Sequence, residues 1–305
     1  MRMRLIVLYL KGLCMGAADI IPGVSGGTMA LITNIYEELI RSINNLTYSS
    51  VKKLFSSEYK TAWKTLNGSF LMSLALGIGT SIMVFGSSIQ HLLVHHPIAL
   101  WSFFFGLILM SALLIGKQIQ NRSWTVIGLF FLGMAISLMV GFLSPVQAST
   151  SLPYLFLCGM LAIVAMILPG ISGAFILILL GAYDTALETL TLIRGFKTQG
   201  FVFLAAFALG GIIGLKAFAK LLNGLYQNHK NRVLSLLVGF MLGSLYKVWP
   251  WKKNVAIGND DFIREIAIWP DLTMDNHSFW LGVPCAIAGA GLIMLFEFVS
   301  KRKKT

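Results

Sequence analysis

Two stretches 147 residues apart decide the fold: Ile21-Pro22-Gly23-Val24-Ser25-Gly26-Gly27-Thr28 and Leu168-Pro169-Gly170-Ile171-Ser172-Gly173-Ala174-Phe175. Each stands near the centre of an apolar region about 40 residues long, 5–43 and 153–193. Proline has no N–H to give a helix ladder, and glycine resists helix, so each region should be two half-helices around an irregular tip. Such a region either crosses a membrane once as a broken helix or turns back as a hairpin.

Composition sets the surroundings. The chain has 305 residues, 56% of them nonpolar, with a mean hydropathy of +0.78 and 12% charged. Soluble domains carry about 25% charged residues. A soluble globule, a disordered chain and a collagen-like chain are excluded, which leaves an all-α polytopic membrane protein in a lipid bilayer. Six stretches have the roughly 20 apolar residues a spanning helix needs: 68–94, 97–116, 124–143, 200–222, 232–249 and 279–300. The net charge of +12 reads as the positive-inside bias and not as a nucleic-acid footprint. Met1 to Leu10 imitates a signal peptide, but Lys11 and Asp19 interrupt it, so residues 1–43 are read as mature structure. Cys14, Cys158 and Cys285 share no metal or disulfide spacing.

Charge chooses between crossing and hairpin. With both broken regions as hairpins and both termini cytoplasmic, sixteen Lys and Arg fall inside and five outside. The acidic loop of Asp260, Asp261, Glu265, Asp271 and Asp275 then lies outside. Were 5–43 to cross once, the five basic residues between 41 and 66 would move outside, against the rule.

The halves resemble each other. At an offset of 147, Pro22, Gly23, Ser25, Gly26 and Tyr36 fall on Pro169, Gly170, Ser172, Gly173 and Tyr183, and Glu37 falls on Asp184. At 133, Gly77, His96, Ser102, Gly106 and Ser111 fall on Gly210, His229, Ser235, Gly239 and Ser244; at 156, Trp124 and Gly133 fall on Trp280 and Gly289. Each repeat, 1–148 and 149–305, has one hairpin and three spans. Three crossings reverse the direction of entry, so this is an inverted-topology repeat whose tips should meet near the bilayer midplane, as in secondary transporters.

At each tip a helix restarts with free N–H groups and a positive dipole end. The backbone of Gly23, Val24, Gly26, Gly27, Gly170, Ile171 and Gly173, with the hydroxyls of Ser25, Thr28 and Ser172, makes a cradle for a phosphate or carboxylate. The plainer reading is tight packing of small residues. Lys11 and Lys216 are candidates to attract an anionic headgroup; Lys216 has the alternative of snorkelling to the inner surface. Asp19 is an intramembrane carboxylate, a functional candidate by default: it carries a coupling proton or sodium ion, or it pairs with Lys11 or Lys216. Glu37 and Asp184, at matching hairpin exits, are further ion-coupling candidates or interfacial anchors. His91, His95 and His96 read as a solvated turn, with no metal expected. No Walker loop, dinucleotide fingerprint or nucleophile elbow appears, and no cofactor is expected.

The segments Lys11-Gly12, Met15 to Asp19, Ile21 to Thr28, Ala30 to Thr33 and Ile35 to Glu37 resemble a bacterial membrane family regarded as polyprenyl-phosphate transporters. Further likeness lies in Phe103 to Ile108, Ile167 to Gly173, Gly181 to Tyr183 and Gly243 to Trp251. Ala174 and Asn34 depart from the family pattern, which has Ser and Gly there. The resemblance implies that undecaprenyl phosphate is moved from the outer to the inner leaflet of the bacterial inner membrane, recycling the lipid carrier of peptidoglycan assembly. Two rivals stand beside it: a lipid pyrophosphate phosphatase, disfavoured because both tips lack Arg, Lys and His, and a small-anion transporter.

Overall fold

The structure is a computed structural model; it describes residues 2–21, 24–120, 123–143, 145–147, 149–256, 263–270 and 276–302. The chain is mostly helical. In order come α1 (Arg2–Ile20), α2 (Gly26–Ile32), α3 (Tyr36–Asn45), α4 (Tyr48–Leu54), α5 (Tyr59–Thr65), α6 (Gly68–His95), α7 (Pro97–Gly116) and α8 (Trp124–Phe142). There follow α9 (Leu152–Ile167), α10 (Gly173–Leu179), α11 (Tyr183–Arg194), α12 (Thr198–Val248), β1 (Lys252–Ala256), β2 (Ile263–Ala267) and α13 (Asn276–Arg302). Among them α6, α7, α8 and α12 are long and apolar enough to cross a membrane. The chain is a multi-helix membrane protein by length and composition.

The backbone forms two compact units. One holds residues 1–86 and 142–233, the other 87–141 and 234–305. Each takes material from both halves of the sequence.

In the first unit both broken regions fold back on themselves. α1 packs on α2 and α9 on α10. Lys11 on α1 reaches Thr33 beyond the end of α2, which requires the two helices to run side by side in opposite directions. The breaks fall where Pro and Gly predict. α2 and α10 start and end 147 residues apart, α1 and α9 end 147 apart, and α3 and α11 start 147 apart. Even the backbone turn between the short helices repeats: Asn34 has φ 57° and Gly181 φ 61°. That left-handed conformation suits Gly, and Asn tolerates it among side-chain-bearing residues, so Asn34 keeps the turn without the glycine. A bend of 109° then separates α10 from α11.

Helix contacts repeat as well. A Cβ at Gly12 would strike the Leu74 carbonyl on α6, and one at Gly77 the Tyr9 carbonyl on α1. At the matched positions Gly159 meets Phe207 and Gly210 meets Phe156. Small residues let these backbones approach closely, as apolar helices in lipid require. The second unit uses the same device: Gly106 abuts Ala286 and Gly289 abuts Phe103 where α7 meets α13, while Gly239 abuts Phe130 and Gly133 abuts Leu236 where α12 meets α8.

Spans 200–222 and 232–249 are two helices within α12, parted by a kink at His229 (φ −140°, ψ 46°). Its match His96, between α6 and α7, has nearly the same backbone (φ −134°, ψ 49°). Two features differ from the sequence expectation. The 41–66 loop carries the short helices α4 and α5. The loop between α12 and α13 carries a two-stranded antiparallel ribbon, with Lys252 opposite Ala267 and Ala256 opposite Ile263; its β-branched residues Val255, Ile263 and Ile266 stand too sparsely among polar neighbours to announce it. Asp260, Asp261, Asp271 and Asp275, the tail residues Lys303 and Lys304, and Arg122 lie outside the described residues.

Candidate functional site

The two hairpin tips touch, and they do so through polar atoms. Ser25 is the N-cap of α2: its backbone is extended (φ −131°, ψ 139°) and its Oγ accepts from Gly27 N at 3.1 Å. The same Oγ donates toward the Met166 and Leu168 carbonyls, 2.8 and 3.1 Å away. In return Gly170 N donates to Thr28 Oγ1 at 3.0 Å. Gly27 rests on the Ile167 carbonyl, and a Cβ there would collide with it. Ser25, Thr28 and Ser172 are all buried. The tips are thus locked by the free carbonyls and N–H groups that broken helices leave behind.

The second tip follows the first with one change. Gly170 takes φ 86°, a conformation glycine adopts at no steric cost. Ser172 caps α10 and accepts from Phe175 N at 3.5 Å. At the first tip, Asp19 Oδ1 accepts from Gly26 N at 2.6 Å. Its counterpart in the second hairpin is Met166, which offers no carboxylate. The N–H of Gly173 accordingly has no acceptor among the described residues. At one tip the amide is held by a carboxyl group; the other presents its amide.

The structure therefore brings together Asp19, Val24, Ser25, Gly26, Gly27 and Thr28 with Gly170, Ile171, Ser172 and Gly173. Pro22 and Gly23 lie outside the described residues. The other candidates stand elsewhere. Lys11 Nζ donates to Thr33 O at 2.7 Å, and Lys216 Nζ donates to Asn44 O at 2.8 Å and Ile43 O at 3.2 Å. Both ammonium groups thus stabilise helix C-termini, as cations do there. Thr33 is separated from Ser25 by α2, about 10 Å at helical rise. Neither lysine pairs with Asp19. Glu37 lies 3.6 Å from Lys230, both half-exposed. Asp184 is exposed at the start of α11. The neighbouring Glu38 binds Arg4 at 2.8 Å and Asn67 at 2.8 Å, pinning α3 to α1 and to the start of α6. Among the described residues no group of three His, Cys, Asp or Glu could hold a metal. His91 and His95 stack on the last turns of α6.

Sequence reasoning missed the Met166 and Leu168 carbonyls, because every residue has one. It also missed the seven-residue reach from Asp19 to Gly26, whose only signal was a carboxylate just upstream of a helix restart.

Comparison with known proteins adds the chemical context. Residues 15–265 match the family model described as undecaprenyl phosphate translocase-like. The chain is 41% identical over 248 residues to a protein of Vibrio cholerae serotype O1 named polyprenyl-phosphate transporter, covering 81% of this chain and 79% of that one. It is 31% identical over 253 residues to a Staphylococcus aureus protein of the same name, covering 79% of this chain and 85% of that one. Both are named as transporters and neither as an enzyme, in line with tips that carry no Arg, Lys or His. No solved structure matches the chain.

Proposed function

We propose, from the fact that this chain belongs to the undecaprenyl phosphate translocase-like family, that it carries a polyprenyl phosphate across the bacterial cytoplasmic membrane. The observation that carries the reading is the joined pair of tips, one with an open Gly173 amide and one whose Gly26 amide is held by Asp19. Helix N-termini of this kind favour phosphate oxygens. The cargo is undecaprenyl phosphate, moved from the outer leaflet to the inner, and its prenyl tail stays in lipid.

The membrane potential opposes that direction. Moving one negative charge against about 100 mV costs about 2.3 kcal/mol, and a phosphate monoester carries one to two charges. Asp19 offers the compensation. When ionised it occupies the Gly26 amide; when it takes up a proton its hold weakens and the amide is released to the phosphate. Proton and phosphate thus arrive and leave together. A sodium ion on Asp19 would serve in the same way. Matching element boundaries, turns and glycine contacts support an inverted repeat that alternates access around this fixed site, with both termini cytoplasmic.

The experiment is reconstitution. Purified protein in proteoliposomes should move polyprenyl phosphate between leaflets faster under an inward proton or sodium gradient, and mass spectrometry should find the lipid on the purified protein. Release of inorganic phosphate from a lipid pyrophosphate would replace the transporter by an enzyme. Competition by soluble phosphate alone would replace the lipid by a small anion.

A further inference from the structure

The two halves differ where the hairpin joins its first long helix. In the second half residues 195–197 suffice to lead from α11 to α12; in the first, residues 46–67 lie between α3 and α6 and form α4 and α5. The connection therefore does not need these two helices. Nor does the core: α4 buries no residue, and α5 buries Ala62. What they present outward is aromatic. Tyr48, Val51 and Phe55, spaced i, i+3 and i+7, fall on one side of α4 and its C-cap. Phe55 is 89% exposed and Tyr48 84%. Tyr59 and Trp63, at i and i+4, are exposed on one side of α5.

The patch sits where a long apolar helix begins. Trp63 Nε1 donates to Ser69 Oγ at 3.0 Å, and a Cβ at Gly68 would strike the Trp63 ring, so the indole rests on the first residues of α6. Because α6 is long and apolar enough to cross a membrane, its first turn falls at the lipid headgroups. Asn45 Nδ2 donates to Thr65 O at 3.1 Å, and Asn67 Nδ2 donates to Glu38 at 2.8 Å, which ties the end of α5 to α3. The polar positions beside the aromatic faces are basic. Lys52, Lys60 and Lys64 each follow directly on a residue of an apolar face, one step of about 100° around the helix. Among the described residues none of the three forms an ion pair. Lys53 binds Glu58 at 2.9 Å and clasps α4 to α5; Glu58 is the only acid between 46 and 67. Cations also suit the C-terminal turns of helices, which accounts for Lys52 and Lys64 but not for the aromatic faces. An exposed apolar face bordered by lysines is the arrangement of helices that lie in a lipid interface.

We infer that α4 and α5 form a docking surface for anionic phospholipids of the leaflet in which α6 begins, their aromatic faces entering the acyl boundary and Lys52, Lys60 and Lys64 binding the headgroups. A soluble acidic protein would satisfy the lysines and leave the outermost rings in water. A neutral lipid would cover the rings and leave three ammonium groups without a counter-charge. An anionic lipid answers both. Bound lipid steadies α3, and with it the exit of the first hairpin, through the Asn45 and Asn67 bonds. The surface does not depend on what the protein transports.

The test is hydrogen exchange of the full-length protein in nanodiscs holding a single chain, read by mass spectrometry over residues 48–66. Discs of phosphatidylcholine are compared with discs in which part of that lipid is replaced by phosphatidylglycerol. The anionic lipid should slow exchange across 48–66 about fivefold or more, the factor one lysine contributes at an anionic surface, and high salt should reverse the effect. Lys52→Gln, Lys60→Gln and Lys64→Gln together should bring the two lipids to the same rate, with the clasp of Lys53 on Glu58 kept. The corresponding Lys→Arg changes should preserve the difference. Phe55→Gln, at an exposed position, should shrink it. Equal exchange of the wild type in the two lipids, or a difference that survives the three glutamines, overturns the surface. Protection that appears only with two chains in a disc assigns the face to a second copy, and protection confined to native membrane vesicles assigns it to a protein partner; either overturns the assignment to lipid. Transport by wild-type proteoliposomes is read separately: its failure bears on the cargo proposed above and leaves this surface standing.

Discussion

One hydroxyl, that of Ser25, caps its own helix and fastens the opposite hairpin. Ser25→Ala removes an N-cap worth about 1 kcal/mol and leaves two part-buried carbonyls with one fewer donor. The expected loss is about 2 kcal/mol, read as a lowered thermal midpoint in detergent, together with slower transport. Gly27→Ala should do comparable harm by another route, since its Cβ meets the Ile167 main chain, which cannot step aside; overpacking of this kind costs about 1–3 kcal/mol. Asp19→Asn separates charge from shape. The amide oxygen still accepts from Gly26 N, so the melting point should stay close to wild type. Transport should lose its dependence on the proton or sodium gradient. Unchanged pH and sodium dependence in the Asp19→Asn protein would remove Asp19 from the coupling scheme.

The elements show what the sequence could and could not announce. Both breaks were legible because Pro and Gly act locally and stand together at Pro22-Gly23 and Pro169-Gly170; Pro284, with no glycine after it, is carried inside α13. Ser25 and Ser172 were legible as polar groups at the tips, but as donors to a ligand; the structure shows them as the N-caps of α2 and α10. The reach of the lysines was not legible. Lys216 caps α3 from α12, 173 residues away in the chain, and a flexible four-carbon stem gives no hint of where it will end. The ribbon of β1 and β2 escaped notice because five residues per strand is too short a run to outweigh its turn-rich surroundings. Lys216→Met keeps the stem and removes the ammonium. It should loosen the last turn of α3 and cost about 0.5–1 kcal/mol, measured as faster hydrogen exchange at residues 40–45 with little change at the tips.

For the whole molecule, orientation is the property to measure. Single cysteines placed in the 52–60 segment and at Lys230 should react with an impermeant maleimide only from the cytoplasmic side, and one at Lys253 only from the outside. A cysteine at 53 labelled from outside would mean that the first broken region crosses the membrane, and the opposed arrangement of the halves would be lost. The two-unit division carries a consequence for biosynthesis. Residues 1–86 find their packing partners in 142–233, and 87–141 find theirs in 234–305. At ribosomal speeds of about 5–20 residues per second, the first hairpin must wait roughly 7–30 s in the bilayer before its counterpart is made. During that wait its open amides and carbonyls have only lipid, water or a helper protein to turn to. A nascent chain stalled before residue 152 should therefore crosslink to the cell's insertion machinery, and let go once α9 and α10 emerge.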